Sequence, residues 1–313
     1  MLAAAVVAAT AAVALARKRG RPVRDPSDDY RALGFTEREL PTPAGRLVLH
    51  EAGDGEPIVF LHGIGGGASS WTWLFVAPSF TRSHRVIVVD WVGWGSAEHP
   101  LRMISFEDYV TSLEALLEDV GARATVVAQS LACGFAMALA ERRPELFARF
   151  VLHTPSGGKD LGGDAFGPLA RATITPFARV PAMGFAFYRL LFHRRAFIGG
   201  WLRRQGFADA SLVTRRIVDA FLFHARRPNA AWSALPFASG TLRFDIAPYL
   251  ERLEVPASIF WGARETQVGV PIGRRLAALR PDLPFHFIED SKACPELERP
   301  DDVIAAIRSG QTG

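Results

Sequence analysis

The sequence predicts an α/β fold in which a mostly parallel central sheet is flanked by helices and is interrupted by a helical insertion. Short, apolar, β-branched runs alternate along the chain with longer amphipathic runs, the order that places helices on both faces of a parallel sheet. A stretch near the middle breaks this alternation. Apolar residues make up 49% of the 313 residues, a composition that fills a large core and argues against disorder.

The predicted elements follow one another in a regular order. The first helix spans Phe106–Gly121, where apolar residues recur at helical spacing and a glycine ends the run, and a second helix follows Gln129 directly. Residues 25–45 are polar and contain proline and glycine, so we expect a linker there. The predicted strands are Arg46–His50, Pro57–Leu61, Arg85–Val89, Thr125–Gln129, Arg149–His153, Ala257–Trp261 and Pro284–Ile288.

The helical insertion is predicted over residues 156–245, which are rich in Phe, Trp, Leu and Arg. We therefore divide the chain into an N-terminal segment (1–24), a core built from 25–155 and 246–313, and this insertion. Its aromatic residues either pack the insertion onto the core or cover a bulky apolar ligand. A small hydrophobic molecule is the expected ligand.

The N-terminal segment is apolar and then basic. Leu2–Ala16 holds Ala, Val and Leu with one Thr, and Arg17–Arg24 carries the positive charge. As a helix the apolar run is about 22 Å long, short of a hydrocarbon core of about 30 Å. Three readings stay open: a membrane anchor through residues 2–16, an unstructured start, and a cleaved leader. The basic flank favours a cytoplasmic location for the rest of the chain, with or without an anchor.

Charge and cysteine usage argue against other classes of function. The net charge is +4 and the arginines are scattered, without a long basic run after the N-terminal segment, so we expect no nucleic-acid partner. The two cysteines, Cys133 and Cys294, lack the spacing of a metal site. We expect no metal and no cofactor, and we expect Cys133 to be a small buried apolar residue.

A glycine-rich motif and a loop follow two of the predicted strands, at the edge where open α/β sheets bind ligands. In FLHGIGGG (Phe60–Gly67), a His-Gly pair followed by glycines can direct backbone N–H groups towards one point, or can simply turn the chain. The loop DWVGWGSA (Asp90–Ala97) is expected to be structural.

A serine marks the sharpest corner of the predicted fold. In VVAQSLACGFA a strand ends at Gln129 and a helix starts at once, with Ser130 at the corner. This arrangement is typical of a nucleophile elbow, with Ala128 and Ala132 where small glycines are usual. The alternative is that Ser130 only caps the helix.

Taken together, these motifs resemble the α/β-hydrolase superfamily, in the group of esterases, lyases and MenH-like proteins. The resemblance covers about Arg46 to Ile307 outside the insertion, and it also rests on WGARE (Trp261–Glu265) and on the closing ERP. It implies an α/β-hydrolase fold, with residues 156–245 as the family's helical cap.

The resemblance also assigns roles residue by residue. It implies that Ser130 is the nucleophile and that the backbone N–H groups of Ile64 and Leu131 form the oxyanion hole. Glu265 stands at the position of the acid that orients the catalytic base. Asp160 is a weaker alternative for that acid.

The resemblance does not extend to the residue that serves as the catalytic base. SKACPELERP keeps Pro295, Glu298 and Pro300 of the family's closing pattern, but Ala293 stands where the resemblance places histidine, next to Lys292 in place of glycine. A methyl group cannot accept a proton, and a serine hydroxyl is a weak nucleophile without a base. Other histidines could in principle serve as the base, but structural roles are expected for them: His62, His153, His193, His224 and His286.

Three functions follow from this pattern. The first is a serine hydrolase that acts on a hydrophobic substrate, most simply a carboxylic ester. The second is an inactive member that binds a hydrophobic ligand or a protein partner, which Ala293 favours. The third is a cofactor-free lyase or isomerase, in which the site polarises a carbonyl group without forming an acyl-enzyme.

Overall fold

The computed structural model of the chain describes residues 23–159 and 180–309, and within these ranges eight strands form one sheet. The strands are β1 (Thr36–Thr42), β2 (Gly45–Ala52), β3 (Glu56–Leu61), β4 (His84–Asp90), β5 (Ala124–Gln129), β6 (Phe147–His153), β7 (Ala257–Gly262) and β8 (Phe285–Ile288). Each of the seven predicted strands is confirmed.

The described helices follow the strands in the predicted alternation. They are α1 (Asp28–Arg31), α2 (Phe106–Val120), α3 (Leu131–Arg142), α4 (Pro181–Phe192), α5 (Arg195–Trp201), α6 (Arg215–Ala225), α7 (Ala230–Ser239), α8 (Ala247–Glu251), α9 (Val270–Leu279), α10 (Pro295–Glu298) and α11 (Pro300–Ser309).

The sheet is mostly parallel and is buried on both faces. Its order is β1-β2-β4-β3-β5-β6-β7-β8, and only the pairs that involve β2 are antiparallel. Alternate residues of β3 belong to two different apolar clusters, with Val59 and Leu61 in one and Ile58 and Phe60 in the other. Because successive side chains of a strand point to opposite faces, the clusters lie on opposite sides of the sheet.

Local sequence signals explain why α2 forms where it does. The Ser105 side chain accepts from the Asp108 backbone N–H, and the Asp108 carboxylate accepts from the Ser105 N–H, which is a capping box. The helix ends at Gly121, whose φ of 74° is the left-handed conformation that glycine adopts at little cost.

The linker predicted over residues 25–45 is wrong. This region contains α1 and β1, and β1 pairs with β2 along its whole length, from Thr36 opposite Glu51 to Thr42 opposite Gly45. β1 is an edge strand whose side chains are exposed or half-buried. Its polar sequence, TERELPT, therefore lacks the apolar run that identified the inner strands.

Helices α4 to α7 lie between β6 and β7, where the helical insertion was predicted. The chain returns to the core through an isolated bridge between Gly158 and Phe244. The division into core and insertion stays a prediction. The proposed anchor at residues 2–16 and the alternative acid Asp160 lie outside the described residues, and no helix in the described ranges is long and apolar enough to cross a membrane.

Candidate active site

The carboxyl ends of the parallel strands bring the predicted site residues to one edge of the sheet. Register pairs Leu61 of β3 with Ala128 of β5, and Gln129 of β5 with His153 of β6. The residues that follow these strands therefore lie side by side, as expected for a ligand site in an open α/β sheet.

Ser130 occupies the sharp corner between β5 and α3. Its φ is 55° and its ψ is −121°, a conformation that costs a non-glycine residue about 1–3 kcal/mol. The Ser130 N–H donates to the His153 carbonyl over 2.9 Å, which fixes the corner. Its side chain does not cap the helix, so the capping interpretation is wrong, and the hydroxyl makes no hydrogen bond with a described residue. Ser130 instead lines a cavity.

The two amides predicted to form the oxyanion hole flank this serine. Ile64 and Leu131 both line the same cavity as Ser130. Among the described residues, neither backbone N–H donates to a protein acceptor. Their neighbour Gly63 differs, since its N–H donates to the Gln129 side-chain oxygen over 3.1 Å. Two unused donors beside a nucleophile are what an oxyanion hole requires.

The cavity has a volume of about 290 Å³ and a wall that is mostly apolar. Aromatic side chains of the helices between β6 and β7 form much of that wall: Phe187, Tyr188, Phe192, Phe197, Trp201, Phe221 and Phe237. Such a wall favours a bulky apolar ligand. In the described ranges no group of three or more His, Cys, Asp or Glu side chains could hold a metal ion.

Glu265 lies on the loop after β7, is 4% exposed and also lines the cavity. One carboxylate oxygen, Oε1, accepts from the backbone N–H groups of Gln267 and Val268. The other oxygen, Oε2, is buried and has no hydrogen-bond partner within the described chain. Burial raises the pKa of Glu265 to about 7, and the backbone hydrogen bonds oppose that rise.

Ala293 lines the cavity together with Ser130 and Glu265, so the position that lacks the histidine does face the site. None of the chain's eight histidines, all of them within the described ranges, hydrogen-bonds to Ser130. Of these histidines, only His62 and His153 line the cavity.

Neither cavity histidine makes a side-chain hydrogen bond to Ser130 among the described residues. The Nδ1 atom of His62 lies 2.7 Å from the Gly63 carbonyl oxygen, and burial lowers the His62 pKa to about 4. His153 is stacked on Phe260 with ring centroids 4.5 Å apart, and burial lowers its pKa to about 3. At neutral pH both rings are uncharged, and the structural roles expected for these two histidines stay predictions.

A fully buried carboxyl group, Glu296, was missed by the sequence analysis. Its Oε1 accepts from the Thr72 hydroxyl over 2.7 Å and from the Gln129 side-chain N–H over 3.1 Å. Because Gln129 in turn accepts from Gly63, this network ties the glycine-rich loop to the elbow. The network joins four residues that are far apart in the sequence: Gly63, Thr72, Gln129 and Glu296. The family pattern drew attention to Glu298 instead, which accepts from two backbone N–H groups near α6.

Replacing Glu296 by glutamine is expected to make the protein more stable at alkaline pH than at acid pH, relative to the native chain. Burial raises the pKa of Glu296 from 4.5 to about 7. The folded state therefore binds this proton more tightly than the unfolded state, and the resulting stabilisation, complete below pH 4.5, is lost as pH rises through 7. Glutamine keeps the acceptor oxygen but cannot ionise.

Urea unfolding of both proteins between pH 4.5 and 8 measures this effect. The difference in the free energy of unfolding, Glu296→Gln minus native, should rise by on the order of 3 kcal/mol across this range. Taking the difference cancels the titration of the histidines. Glu56→Gln, at an exposed position, is the control and should show no comparable rise. Parallel pH curves for native and Glu296→Gln would contradict the assignment of Glu296 as the buried titrating group.

Comparisons with known proteins agree with this fold. A family model described as "alpha/beta hydrolase fold" matches residues 56–196. A 2-hydroxymuconate semialdehyde hydrolase from Pseudomonas sp. (strain CF600) is 36% identical over 126 residues, which span 38% of this chain and 44% of that protein. The chain thus matches less than half the length of that relative.

Two further similarities extend over most of the chain. A 2-hydroxy-6-oxononadienedioate/2-hydroxy-6-oxononatrienedioate hydrolase from Paraburkholderia xenovorans (strain LB400) is 28% identical over 255 residues, 78% of this chain and 83% of that protein. The structure of a serine hydrolase involved in carbazole degradation aligns with a TM-score of 0.71 and 17% identity, covering 89% of this chain and 99% of that one.

Proposed function

Because the chain is a member of the α/β-hydrolase superfamily and has its fold, we propose that it hydrolyses a carbonyl compound that carries a bulky apolar group, most simply a carboxylic ester. One observation carries the proposal: Ser130, held at positive φ, lines an apolar cavity with Ile64 and Leu131, and neither its hydroxyl nor their two N–H groups have a hydrogen-bond partner among the described residues. This combination supports nucleophilic attack on a carbonyl carbon.

In the proposed reaction the Ser130 Oγ atom bonds to the carbonyl carbon of the substrate. The Ile64 and Leu131 N–H groups hold the oxyanion that forms, and one such donor lowers the barrier by about 3–4 kcal/mol in other enzymes. The alcohol leaves, and water then hydrolyses the acyl-serine. Since no imidazole hydrogen-bonds to Ser130 in the described structure, we expect each of these steps to be slow in the native chain.

The named relatives favour a variation on this substrate. Both curated relatives are hydrolases, one of a 2-hydroxymuconate semialdehyde and one of 2-hydroxy-6-oxo compounds. Hydrolysis of a bond beside a ketone carbonyl would use the same serine and the same oxyanion hole. A ketone with an apolar substituent is therefore a further substrate class to test beside esters.

A second candidate function is binding without turnover. Ala293 favours it, because the site lacks a group that can accept the Ser130 proton. In that case the apolar cavity holds a hydrophobic molecule and the elbow is a remnant without chemistry. Localisation and any attachment through residues 2–16 stay predictions under both functions.

Covalent labelling of Ser130 separates these candidates. We expect a fluorophosphonate with a long alkyl chain to modify the native protein slowly at Ser130, and an ethyl fluorophosphonate of equal reactivity to modify it more slowly still, because the cavity wall is apolar. Intact-mass spectrometry and peptide mapping follow the reaction.

Two variants make the labelling decisive. Ser130→Ala should remain unmodified, whereas Ser258→Ala should react like the native protein, since it removes another buried serine hydroxyl without a hydrogen-bond partner in the described ranges. A native chain that binds the long-chain probe but is never modified would favour the binding function. Faster reaction with the ethyl probe would contradict an apolar substrate.

A further inference from the structure

The loops that carry Glu265 and Ala293 are fixed to each other through one residue. The side-chain oxygen of Gln205 accepts from the Thr266 hydroxyl over 2.5 Å, beside Glu265. The backbone carbonyl of the same Gln205 accepts from the Ala293 N–H over 3.3 Å. The Glu265 carboxylate and the Ala293 methyl group therefore border the cavity at fixed positions relative to each other.

One of the two Glu265 carboxylate oxygens lacks a donor among the described residues. Backbone N–H groups satisfy Oε1, while Oε2 is buried, has no partner among the described residues and belongs to a side chain that lines the cavity. A buried acceptor without a donor is destabilising, and a ligand that brings an N–H group removes that penalty. A carboxylate also attracts a group that becomes positively charged during a reaction.

Among the described residues, no nearby side chain donates a hydrogen bond to the Oε2 atom of Glu265. The Lys292 ammonium group donates to the Arg204 carbonyl over 2.8 Å. His62 is held by the Gly63 carbonyl, and the His153 ring, stacked on Phe260, makes no hydrogen bond to Ser130 or Glu265 although both of its nitrogens lack a partner among the described residues. The described part of the site thus has a nucleophile, an oxyanion hole and an acid, but no proton acceptor placed between the nucleophile and the acid.

We propose, resting on the hydrolase function proposed above, that the space between Glu265 and Ala293 binds a small base of the imidazole class, which acts in place of the missing side chain. The base is either a free molecule or a group carried by the substrate. An imidazole ring suits the site because it has an N–H donor for Glu265 on one side and an unprotonated nitrogen for Ser130 on the other.

The proposed proton transfers balance. As the Ser130 Oγ atom bonds to the carbonyl carbon, its proton passes to the unprotonated ring nitrogen, and the Glu265 carboxylate stabilises the imidazolium. The same proton then passes to the departing alkoxide, which leaves as the alcohol, and the base is again neutral. Hydrolysis of the acyl-serine repeats the sequence with water as the nucleophile.

Chemical rescue tests this proposal. At pH 8, imidazole should raise the rate of fluorophosphonate labelling of native Ser130 by about a hundredfold, with saturation at high imidazole concentration. Pyrazole has the same shape but is a much weaker base, so it should have little effect. Glu265→Gln should lose most of the imidazole effect. Ala293→His, which supplies its own ring, should react fast without imidazole and gain little from it.

A pair of p-nitrophenyl esters of equal length identifies the source of the base. One ends in a phenyl ring and the other in an imidazole ring, and each rate is corrected with Ser130→Ala. A preference for the imidazole ester without added imidazole indicates a base carried by the substrate. A preference for the phenyl ester that depends on added imidazole indicates a free base. Either result supports the proposal.

The proposal and the underlying function fail in different ways. If Ala293→His is labelled rapidly but neither imidazole nor the imidazole ester speeds the native protein, the base site is wrong and the hydrolase site stands. An imidazole effect that pyrazole reproduces, or that Glu265→Gln retains in full, also overturns the base site. If Ser130 is not labelled in any variant, both proposals are wrong.

Discussion

Replacing Ala293 by histidine is expected to raise ester hydrolysis by the chain about 10³- to 10⁴-fold, a partial recovery of the roughly 10⁶-fold in kcat that loss of the histidine costs a serine protease. The native serine hydroxyl has no proton acceptor within hydrogen-bonding distance in the described structure. The histidine of Ala293→His would supply one beside three features of the same cavity: the corner at Ser130, two backbone N–H groups without an acceptor among the described residues, and the buried Glu265 carboxylate.

The Glu265 Oε2 atom, which has no hydrogen-bond partner among the described residues, is the structural reason to expect that the imidazole introduced by Ala293→His will be oriented for catalysis. This oxygen can accept the Nδ1–H of the imidazole that Ala293→His introduces, which leaves the Nε2 atom of that ring to face the nucleophile. The backbone N–H at position 293 donates to the Gln205 carbonyl, so the backbone that would carry the introduced side chain is anchored. The variant should gain a pH dependence in which the rate falls as the imidazole protonates.

Steady-state hydrolysis of a long-chain p-nitrophenyl ester measures the gain as kcat/KM. Ala293→Asn is the matched control, since asparagine has a similar size but cannot accept the proton, and it should stay near the native rate. The double variant Ala293→His with Glu265→Gln should keep only part of the gain, because the ring loses its charged partner. A rate for Ala293→His that equals that of Ala293→Asn would show that Ala293 does not occupy the position of a base.

The sequence predicted those parts of the fold whose signals are local. Buried strands such as β3 and β5 are continuous apolar runs, and both were found within a residue of their ends. The edge strand β1 was missed because only one neighbour pairs with it and its side chains meet solvent, so its composition is that of a loop. β1 is a strand because its backbone pairs with β2, although its side chains do not form an apolar run.

The candidate site residues also differ in whether their sequence signal is local or depends on distant contacts. Ser130 was predictable because a strand, a small-residue corner and a helix adjoin in the sequence. Glu296 was not, because its role depends on Thr72 and Gln129, which lie 224 and 167 residues away along the chain. The unpartnered Oε2 of Glu265 is likewise a property of packing, since the sequence shows a carboxylate but not which of its oxygens is satisfied.

Replacing Ser130 by glycine is expected to abolish labelling and hydrolysis and, at the same time, to stabilise the protein by about 1 kcal/mol. The φ of 55° with ψ of −121° is a region that glycine enters freely and that costs other residues about 1–3 kcal/mol. Part of this gain is offset by about 0.5–1 kcal/mol, because glycine loses more chain entropy on folding.

Ser130→Ala is the control that separates chemistry from strain. It removes the same hydroxyl but keeps the Cβ atom, and with it the cost of holding a non-glycine residue at a φ of 55°. We therefore expect both variants to be inactive and only Ser130→Gly to unfold at higher urea concentration. If both unfold together, the corner is not strained, and the high-energy backbone would no longer distinguish Ser130 from an ordinary residue at the start of a helix. If glycine alone stabilises the fold, the chain holds its nucleophile at a measurable cost in stability, as expected of a corner built to expose a reactive hydroxyl.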